Sequence, residues 1–150
     1  MGDFQKDLEL GVRAQEFIIK QLQPEFPSIK SIPGKFSNFD LKSNSGYTAE
    51  VKYDRVSKRT QNVGIEFKYN NKLSGISTTT AIEWIHIYHL KDNIVYSRIR
   101  THDLKAFLRS NWDKLVKVDG GDDGKSRLTL ISVSDFTNRF DYTTIIQHHT

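Results

Sequence analysis

The first part of the chain has apolar residues at helical spacing. They recur every three or four positions, at Leu10, Ala14, Phe17, Ile18 and Leu22. This is the period of one face of an α-helix, and Pro24 then ends it. The spacing predicts an amphipathic helix over residues 3–22, with Glu16 at the margin of a second, shorter apolar stripe.

Strand-like alternation follows a connection rich in proline and glycine at residues 24–35. Polar and apolar residues alternate in three segments: residues 36–42, 47–55 and 63–70. SNSG and SKRTQN separate these segments and have the composition of turns. The pattern predicts a three-strand antiparallel meander.

The second half of the chain mixes further strands with helices. A short helix or turn is predicted near Ser77, followed by a hairpin from IHIYHL and NIVYSRI. THDLKAFLRSN predicts a helix capped by Thr101, and SDFTNRF predicts a last helix capped by Ser134, before a polar tail. LVKV and RLTLISV predict two more strands. The whole order predicts an α+β or mixed α/β fold, with a sheet covered by helices.

Length and composition restrict the class of protein. A chain of 150 residues with 37% hydrophobic residues predicts one globular domain, residues 1–150. The chain has no cysteine, which excludes disulfides and thiolate metal sites, so a metal would bind through oxygen or imidazole. The sequence shows neither a secretory signal nor an apolar run of membrane-spanning length. We therefore expect an intracellular, cytoplasmic protein without a membrane partner.

Alternation along the predicted strands collects charged residues on one face. Asp40 and Lys42 share one side of the first strand, and Glu50 and Lys52 share one side of the second. A hairpin turning near residues 44 and 45 sets residue 40 opposite residue 49 or 50. Asp40 and Glu50 are then cross-strand neighbours, with about 5 Å between their Cβ atoms.

Two carboxylates at that separation favour a bound cation. Their like charges repel and would raise one of the two pKa values unless a positive charge lies between them. A divalent ion relieves the repulsion, and hard oxygen ligands favour Mg²⁺ or Mn²⁺. Lys52 lies two residues along the same face, where it could bring a positive charge to a water molecule or a phosphate oxygen.

These residues and their order resemble the PD-(D/E)XK nuclease superfamily, which includes restriction endonucleases and Holliday-junction resolvases. Asp40 precedes Glu50-Val51-Lys52 on the next strand, behind a helix that carries Glu16. The proline of the family name is absent, since Phe39 precedes Asp40. The segment from TQNVGIEFKYNN to RLTLISV is similar to small phage-encoded members. The resemblance covers about residues 8–133 and implies a restriction-endonuclease-like core.

The resemblance implies a metal-dependent DNA endonuclease that leaves a 5′-phosphate and a 3′-hydroxyl. Asp40 and Glu50 would hold the metal together with Val51, and Lys52 would orient the water or stabilise charge on the phosphate. Glu16 matches a helix glutamate that some members add as a further ligand. A phage-encoded enzyme acting in the host cytoplasm is expected, and because members often pair to cut two strands, a homodimer is an open alternative.

A second Asp and Glu-x-Lys set competes with the first. Asp54 precedes Glu66-Phe67-Lys68 by twelve positions. We place the site at the first set because Asp40 follows the N-terminal helix and the proline-rich connection in the order of the family, whereas the second set begins one strand too late. Glu66 could still be an additional acidic residue at the periphery of the same site. Two other hypotheses remain: a DNA-binding domain of the same fold without hydrolysis, and a structural or interaction domain whose charged sheet face is solvated.

Basic and polar residues near the proposed site are candidates for DNA contact. The net charge is +4 and the pI is about 9.2, which is a mild bias toward polyanions. The candidates for contact with the phosphate backbone are Lys30, Lys35, Lys42, Arg55, Lys58, Arg59, Asn62 and Ser77.

Overall fold

Four α-helices, two short 3₁₀ helices (Gly75–Ser77 and Trp112–Lys114) and ten strands lie in the part of the chain that the structure describes. The computed structural model describes residues 3–33, 39–121 and 123–146. The helices are α1 (Asp3–Leu22), α2 (Ser57–Thr60), α3 (Thr101–Asn111) and α4 (Val133–Arg139). The first strands are β1 (Lys30–Ser31), β2 (Leu41–Lys42), β3 (Thr48–Tyr53), β4 (Asn62–Tyr69) and β5 (Lys72–Leu73). The later strands are β6 (Glu83–Leu90), β7 (Asn93–Arg100), β8 (Val116–Gly120), β9 (Ser126–Ser132) and β10 (Thr143–Ile146).

The strands form two sheets. Six strands form a mixed sheet in the order β1-β2-β3-β6-β7-β10, in which only β3 and β6 are parallel. Four strands form an antiparallel sheet in the order β5-β4-β9-β8. The predicted combination of helices with a multi-stranded sheet is confirmed, and the larger sheet is mixed.

Helix α1 covers one face of the six-stranded sheet. Its residues Ile18 and Leu22 are buried and pack with Leu41, Ala49 and other apolar residues from the strands. Burying an isoleucine or leucine side chain contributes about 1.5 to 3 kcal/mol, so this apolar stripe holds the predicted helix to the sheet. Neither α1 nor any other helix in the described ranges is long and apolar enough to cross a membrane.

The opposite face of the six-stranded sheet contributes to a second core. Trp84 and Tyr88 on β6 lie in one apolar cluster with Val63 and Ile65 of β4 and with Phe136 of α4. Helix α3 adds Leu104 and Leu108 to the same cluster. The six-stranded sheet therefore lies between α1 on one face and the four-stranded sheet, α3 and α4 on the other.

The prediction of a three-strand meander is wrong in its third strand. The first two predicted strands pair as β2 and β3, with Leu41 opposite Ala49, although residues 36–38 of the first lie outside the described residues. The third, β4, joins the four-stranded sheet, and β3 pairs in parallel with β6 instead. Helix α2 and Gln61, whose φ is 52°, redirect the chain between β3 and β4. Strand β6 is buried along most of its length, which suits it to the interior position beside β3.

Three smaller differences concern caps and the end of the chain. Thr101 does not cap α3; it is the first helical residue, and its buried hydroxyl has no hydrogen-bond partner among the described residues. Ser132, not Ser134, caps α4 by accepting from the Asp135 backbone N–H. Part of the predicted polar tail forms β10, which pairs with β7.

Candidate active site

Asp40 and Glu50 are neighbours across the pair formed by β2 and β3. The pairing of β2 with β3 ends with Leu41 opposite Ala49, and Asp40 directly precedes β2, close enough to Glu50 for the two charges to repel. The Asp40 N–H donates to the Ala49 carbonyl at 2.9 Å. The Val51 N–H donates to Asp40 Oδ2 at 2.8 Å. The main chain of β3 thus fixes the orientation of the Asp40 carboxylate.

Lys52 shares the face of β3 that carries Glu50. The parallel pairing with β6 runs without a register shift, placing Glu50 opposite Trp84 and Lys52 opposite His86. Lys52 Nζ lies 3.1 Å from Glu50 Oε1, with side chains 41% and 12% exposed respectively. The lysine is therefore an ion-pair partner at the edge of the carboxylate pair, reachable from solvent.

The electrostatics of Glu50 reflect two opposing influences. Burial raises the pKa of Glu50 above its ordinary value, and the nearby charge of Asp40 raises it further. The attraction of Lys52 opposes this shift without cancelling it. The expected repulsion between the two carboxylates is present, although burial is the larger cause.

The pKa of Lys52 is raised, although burial normally lowers the pKa of an amine. Burial alone would lower the pKa of Lys52. The ion pair with Glu50 outweighs this effect and raises the pKa above its ordinary value. The charges of Asp40 and Glu66 act in the same direction, so Lys52 is a fixed cation among three carboxylates.

A cavity of about 450 Å³ opens beside Lys52. Strands β3, β4 and β6 contribute most of its walls. The residues that give it chemical character are Lys52, Asp54, Arg55, Glu66, Trp84 and His86. The cavity is large enough to admit a phosphate group and its water next to the ammonium group.

Asp54, the aspartate of the second set, is bound on several sides by the protein. Its Oδ2 accepts from the Gly64 N–H at 2.8 Å and lies 3.0 Å from Nε2 of His86. The Trp84 indole N–H donates to Nδ1 of His86 at 3.1 Å, which places the imidazole proton on Nε2, facing Asp54. His86 was not among the site residues predicted from the sequence. The sequence signal for its contact with Trp84 is that the two residues lie two positions apart and so share a face of β6.

Glu66 is likewise held by the protein, and its companion lysine points elsewhere. The hydroxyls of Ser126 and Ser74 donate to Glu66 at 2.7 and 3.1 Å. A β-bulge follows, because Glu66 lies opposite Leu128 and Lys68 opposite Arg127, which is the adjacent residue of β9. The extra residue places Lys68 on the sheet face opposite to Glu66. Glu66 and Lys68 therefore do not form a charged cluster on one face of the sheet.

Two predicted ligands have different outcomes. Glu16 is exposed on α1, whose apolar stripe packs on the face formed by Leu41 and Ala49, and the structure does not bring it to the carboxylate pair. Val51 has no donor side chain, but its N–H points toward Asp40. The carbonyl of a strand residue points to the same edge as its N–H, so the Val51 carbonyl oxygen also faces the Asp40 side.

The predicted DNA contacts divide into two groups. Arg55 lines the cavity, and Lys58 and Arg59 are exposed on α2 directly after it, while Lys42, opposite Thr48, lies on the face that carries Glu50. Two polar candidates lie elsewhere, because Asn62 and Ser77 each line a different cavity from the one beside Lys52. Lys35 lies outside the described residues.

The donors around the carboxylate pair suit a hard cation. Asp40 and Glu50 supply carboxylate oxygens, and the Val51 carbonyl faces the same edge, which is the oxygen chemistry that Mg²⁺ and Mn²⁺ prefer. No cluster of three or more His, Asp or Glu side chains arranged for a metal occurs within the described residues. A metal here would rest on two side chains and the main chain. In sequence comparisons, no protein-family model and no curated protein matches the chain.

Proposed function

We propose that the protein is a Mg²⁺- or Mn²⁺-dependent deoxyribonuclease of the PD-(D/E)XK type, with a restriction-endonuclease-like core. One observation carries the proposal: Asp40, fixed by the Val51 N–H, lies near Glu50, which pairs with Lys52 at 3.1 Å. The order of elements supports it further, because a helix precedes the aspartate and the Glu-x-Lys sequence lies on the neighbouring strand.

The metal would be held by Asp40, Glu50 and the Val51 carbonyl. When bound there, a divalent ion would lower the pKa of a water molecule and neutralise charge on the phosphate oxygens. The raised pKa of Glu50 fits this role, because a cation would relieve the burial and repulsion that cause the shift.

Lys52 would supply positive charge to the reacting phosphate. Its raised pKa keeps the ammonium group protonated, and the ion pair with Glu50 restricts its position. Charge that is fixed in advance stabilises the transition state without reorganisation. Water attacks phosphorus, the bond to the 3′ oxygen breaks, and that oxygen takes a proton, which leaves a 5′-phosphate and a 3′-hydroxyl.

Plasmid cleavage tests the proposal, with two lysine variants as a matched pair. The wild-type protein should convert supercoiled DNA in Mg²⁺ and stop when EDTA is added. Lys52→Ala should lower the cleavage rate by about a hundred- to a thousandfold, the usual effect of losing a stabilising donor, while DNA affinity is retained. Lys68→Ala removes the lysine of the second Glu-x-Lys pattern and should cut at the wild-type rate.

The opposite results would reject the assignment. Cleavage by Lys52→Ala at the wild-type rate would show that Lys52 has no role in catalysis. Cleavage that persists in EDTA would show that the reaction does not require a divalent metal.

A DNA-binding domain without hydrolysis is the second candidate function. The observation that favours it is that the basic residues Lys58 and Arg59 are exposed on α2, directly after the cavity-lining Arg55, where they could contact a phosphate backbone without any hydrolysis. This candidate predicts salt-sensitive DNA binding by the wild-type protein and no cleavage in either Mg²⁺ or Mn²⁺.

A further inference from the structure

Two lysines face each other at the outer edge of the six-stranded sheet. Strand β1 pairs antiparallel with β2, and Lys30 lies directly opposite Lys42. Both side chains are exposed. Cross-strand partners point to the same face, with about 5 Å between their Cβ atoms, so two ammonium groups project together from adjacent strands.

The pair lies on the face that carries the carboxylates. Ile29 and Leu41 are buried in the cluster beneath α1. Alternation along each strand therefore turns Lys30 and Lys42 to the other face, which is also the face of Thr48, because Lys42 lies opposite Thr48. Glu50 is the next residue after Thr48 on that face of β3.

This arrangement of like charges is unfavourable without an anion. Like charges directly opposite each other destabilise an antiparallel pair. Within the described residues, neither Lys30 nor Lys42 forms an ion pair. Each ammonium group therefore adds a positive charge, balanced by no carboxylate among the described residues, to the sheet face that carries the proposed site.

Serine hydroxyls join the segments that carry the two lysines. Ser28 Oγ lies 3.0 Å from Ser43 Oγ, and it accepts from the Asn44 N–H at 2.8 Å. These bonds tie the residues before β1 to the turn after β2. They hold the two strand ends together at the position where the two lysines repel.

We propose that Lys30 and Lys42 together bind one backbone phosphate of DNA, the neighbour of the phosphate that is cut. Successive residues on one strand face lie about 6.6 Å apart, comparable to the spacing of adjacent phosphates in one DNA strand. A phosphate on the lysine pair then places the next one beside Asp40 and Glu50. This inference rests on the proposed nuclease function and assigns that site a second phosphate position.

The salt dependence of DNA binding provides the first measurement. Affinity is measured in the Lys52→Ala background, where cleavage is slow, over a range of salt concentrations. Replacing both Lys30 and Lys42 by alanine should make the negative slope of log K against log salt shallower by about 1 and weaken binding about tenfold near 0.1 M salt. The matched control replaces Lys72 and Lys125, which are also exposed but belong to the other sheet and its turn, and it should leave the slope unchanged.

A neutral phosphate analogue provides the second measurement. The cut position is mapped with the wild-type enzyme, and methylphosphonate then replaces single phosphates on either side of it. Neutralising the adjacent phosphate bound by the lysine pair should weaken binding to the wild-type protein about tenfold and have no effect on the Lys30→Ala/Lys42→Ala variant.

The outcomes separate this inference from the proposed function. If the wild-type protein cuts DNA but the double variant matches the Lys72/Lys125 control in both measurements, the phosphate position is rejected and the nuclease stands. If replacing the lysine pair, but not the control pair, makes the salt dependence shallower and no DNA is cut, the phosphate position stands and the nuclease is rejected. If the wild-type protein binds no DNA, both are rejected.

Discussion

The chain contains an aspartate followed by Glu-x-Lys twice, and the two copies end in different surroundings. In the first, Asp40 and Glu50 lie on paired strands, and Lys52 shares the face of Glu50 because β3 is regular. In the second, a bulge after Glu66 turns Lys68 to the opposite face. The same short pattern therefore makes a charged cluster in one place and separated side chains in the other.

The carboxylates of the two copies also differ in what they bind. Asp54 accepts from the Gly64 N–H and pairs with His86, and Glu66 accepts from two serine hydroxyls. Their oxygens hold strands and loops together. Glu50, in contrast, is bound by a partly exposed lysine, and its raised pKa shows that its charge is incompletely compensated. A bound cation would therefore stabilise the carboxylates of the first copy more than those of the second, which already have hydrogen-bond donors.

The largest expected effect is the loss of Asp54. Asp54→Ala leaves the Gly64 N–H and the buried His86 without their acceptor, and an unsatisfied buried polar group costs about 1 to 3 kcal/mol. We expect the free energy of unfolding to fall by about 3 kcal/mol. Asp40→Ala removes one acceptor near the surface and should lower it by about 1 kcal/mol or less.

Urea unfolding without divalent ions compares the two aspartate variants. Equal losses would contradict the distinction between a structural and a chemical aspartate. A larger loss for Asp40→Ala would reverse it.

A smaller effect is expected from the charge of Glu50. Burial, then the charge of Asp40, raises the folded-state pKa of Glu50 despite the attraction of Lys52. Because the folded pKa is raised, the favourable contribution of Glu50 is complete below its ordinary pKa and is lost as pH rises through the folded value. Glu50→Gln has no such loss, so without metal it should be more stable than the wild type at neutral pH.

Unfolding measured across acidic to neutral pH checks this sign. The advantage of Glu50→Gln over the wild type should grow as pH rises and shrink when Mg²⁺ is added, because the ion stabilises the ionised wild-type site. An advantage that does not change with pH would show that the charge of Glu50 is already compensated.

Local features of the fold were predictable from the sequence. The helical spacing of Ile18 and Leu22 predicted α1, and the turn between β2 and β3 predicted the pairing that brings Asp40 to Ala49 and the neighbouring Glu50. The hairpin of β6 and β7 followed from its two alternating segments. Each of these depends on residues close together in the chain.

The remaining features depend on distant partners. The parallel pairing of β3 with β6 joins residues more than thirty positions apart, such as Lys52 and His86, and alternation within one strand does not identify its neighbour. The bulge after Glu66 appears only once β9 is paired. For the same reason the sequence did not reveal the pairing of Lys30 with Lys42 or the contact of His86 with Asp54.

Binding of Mn²⁺, followed by the loss of the electron paramagnetic resonance signal of the free ion, tests the central claim most directly. The wild-type protein should bind Mn²⁺. Asp40→Asn and Glu50→Gln should lose this binding, whereas Glu66→Gln should retain it. Absence of Mn²⁺ binding to the wild-type protein, or binding that depends on Glu66 and not on Asp40 and Glu50, would contradict the central claim.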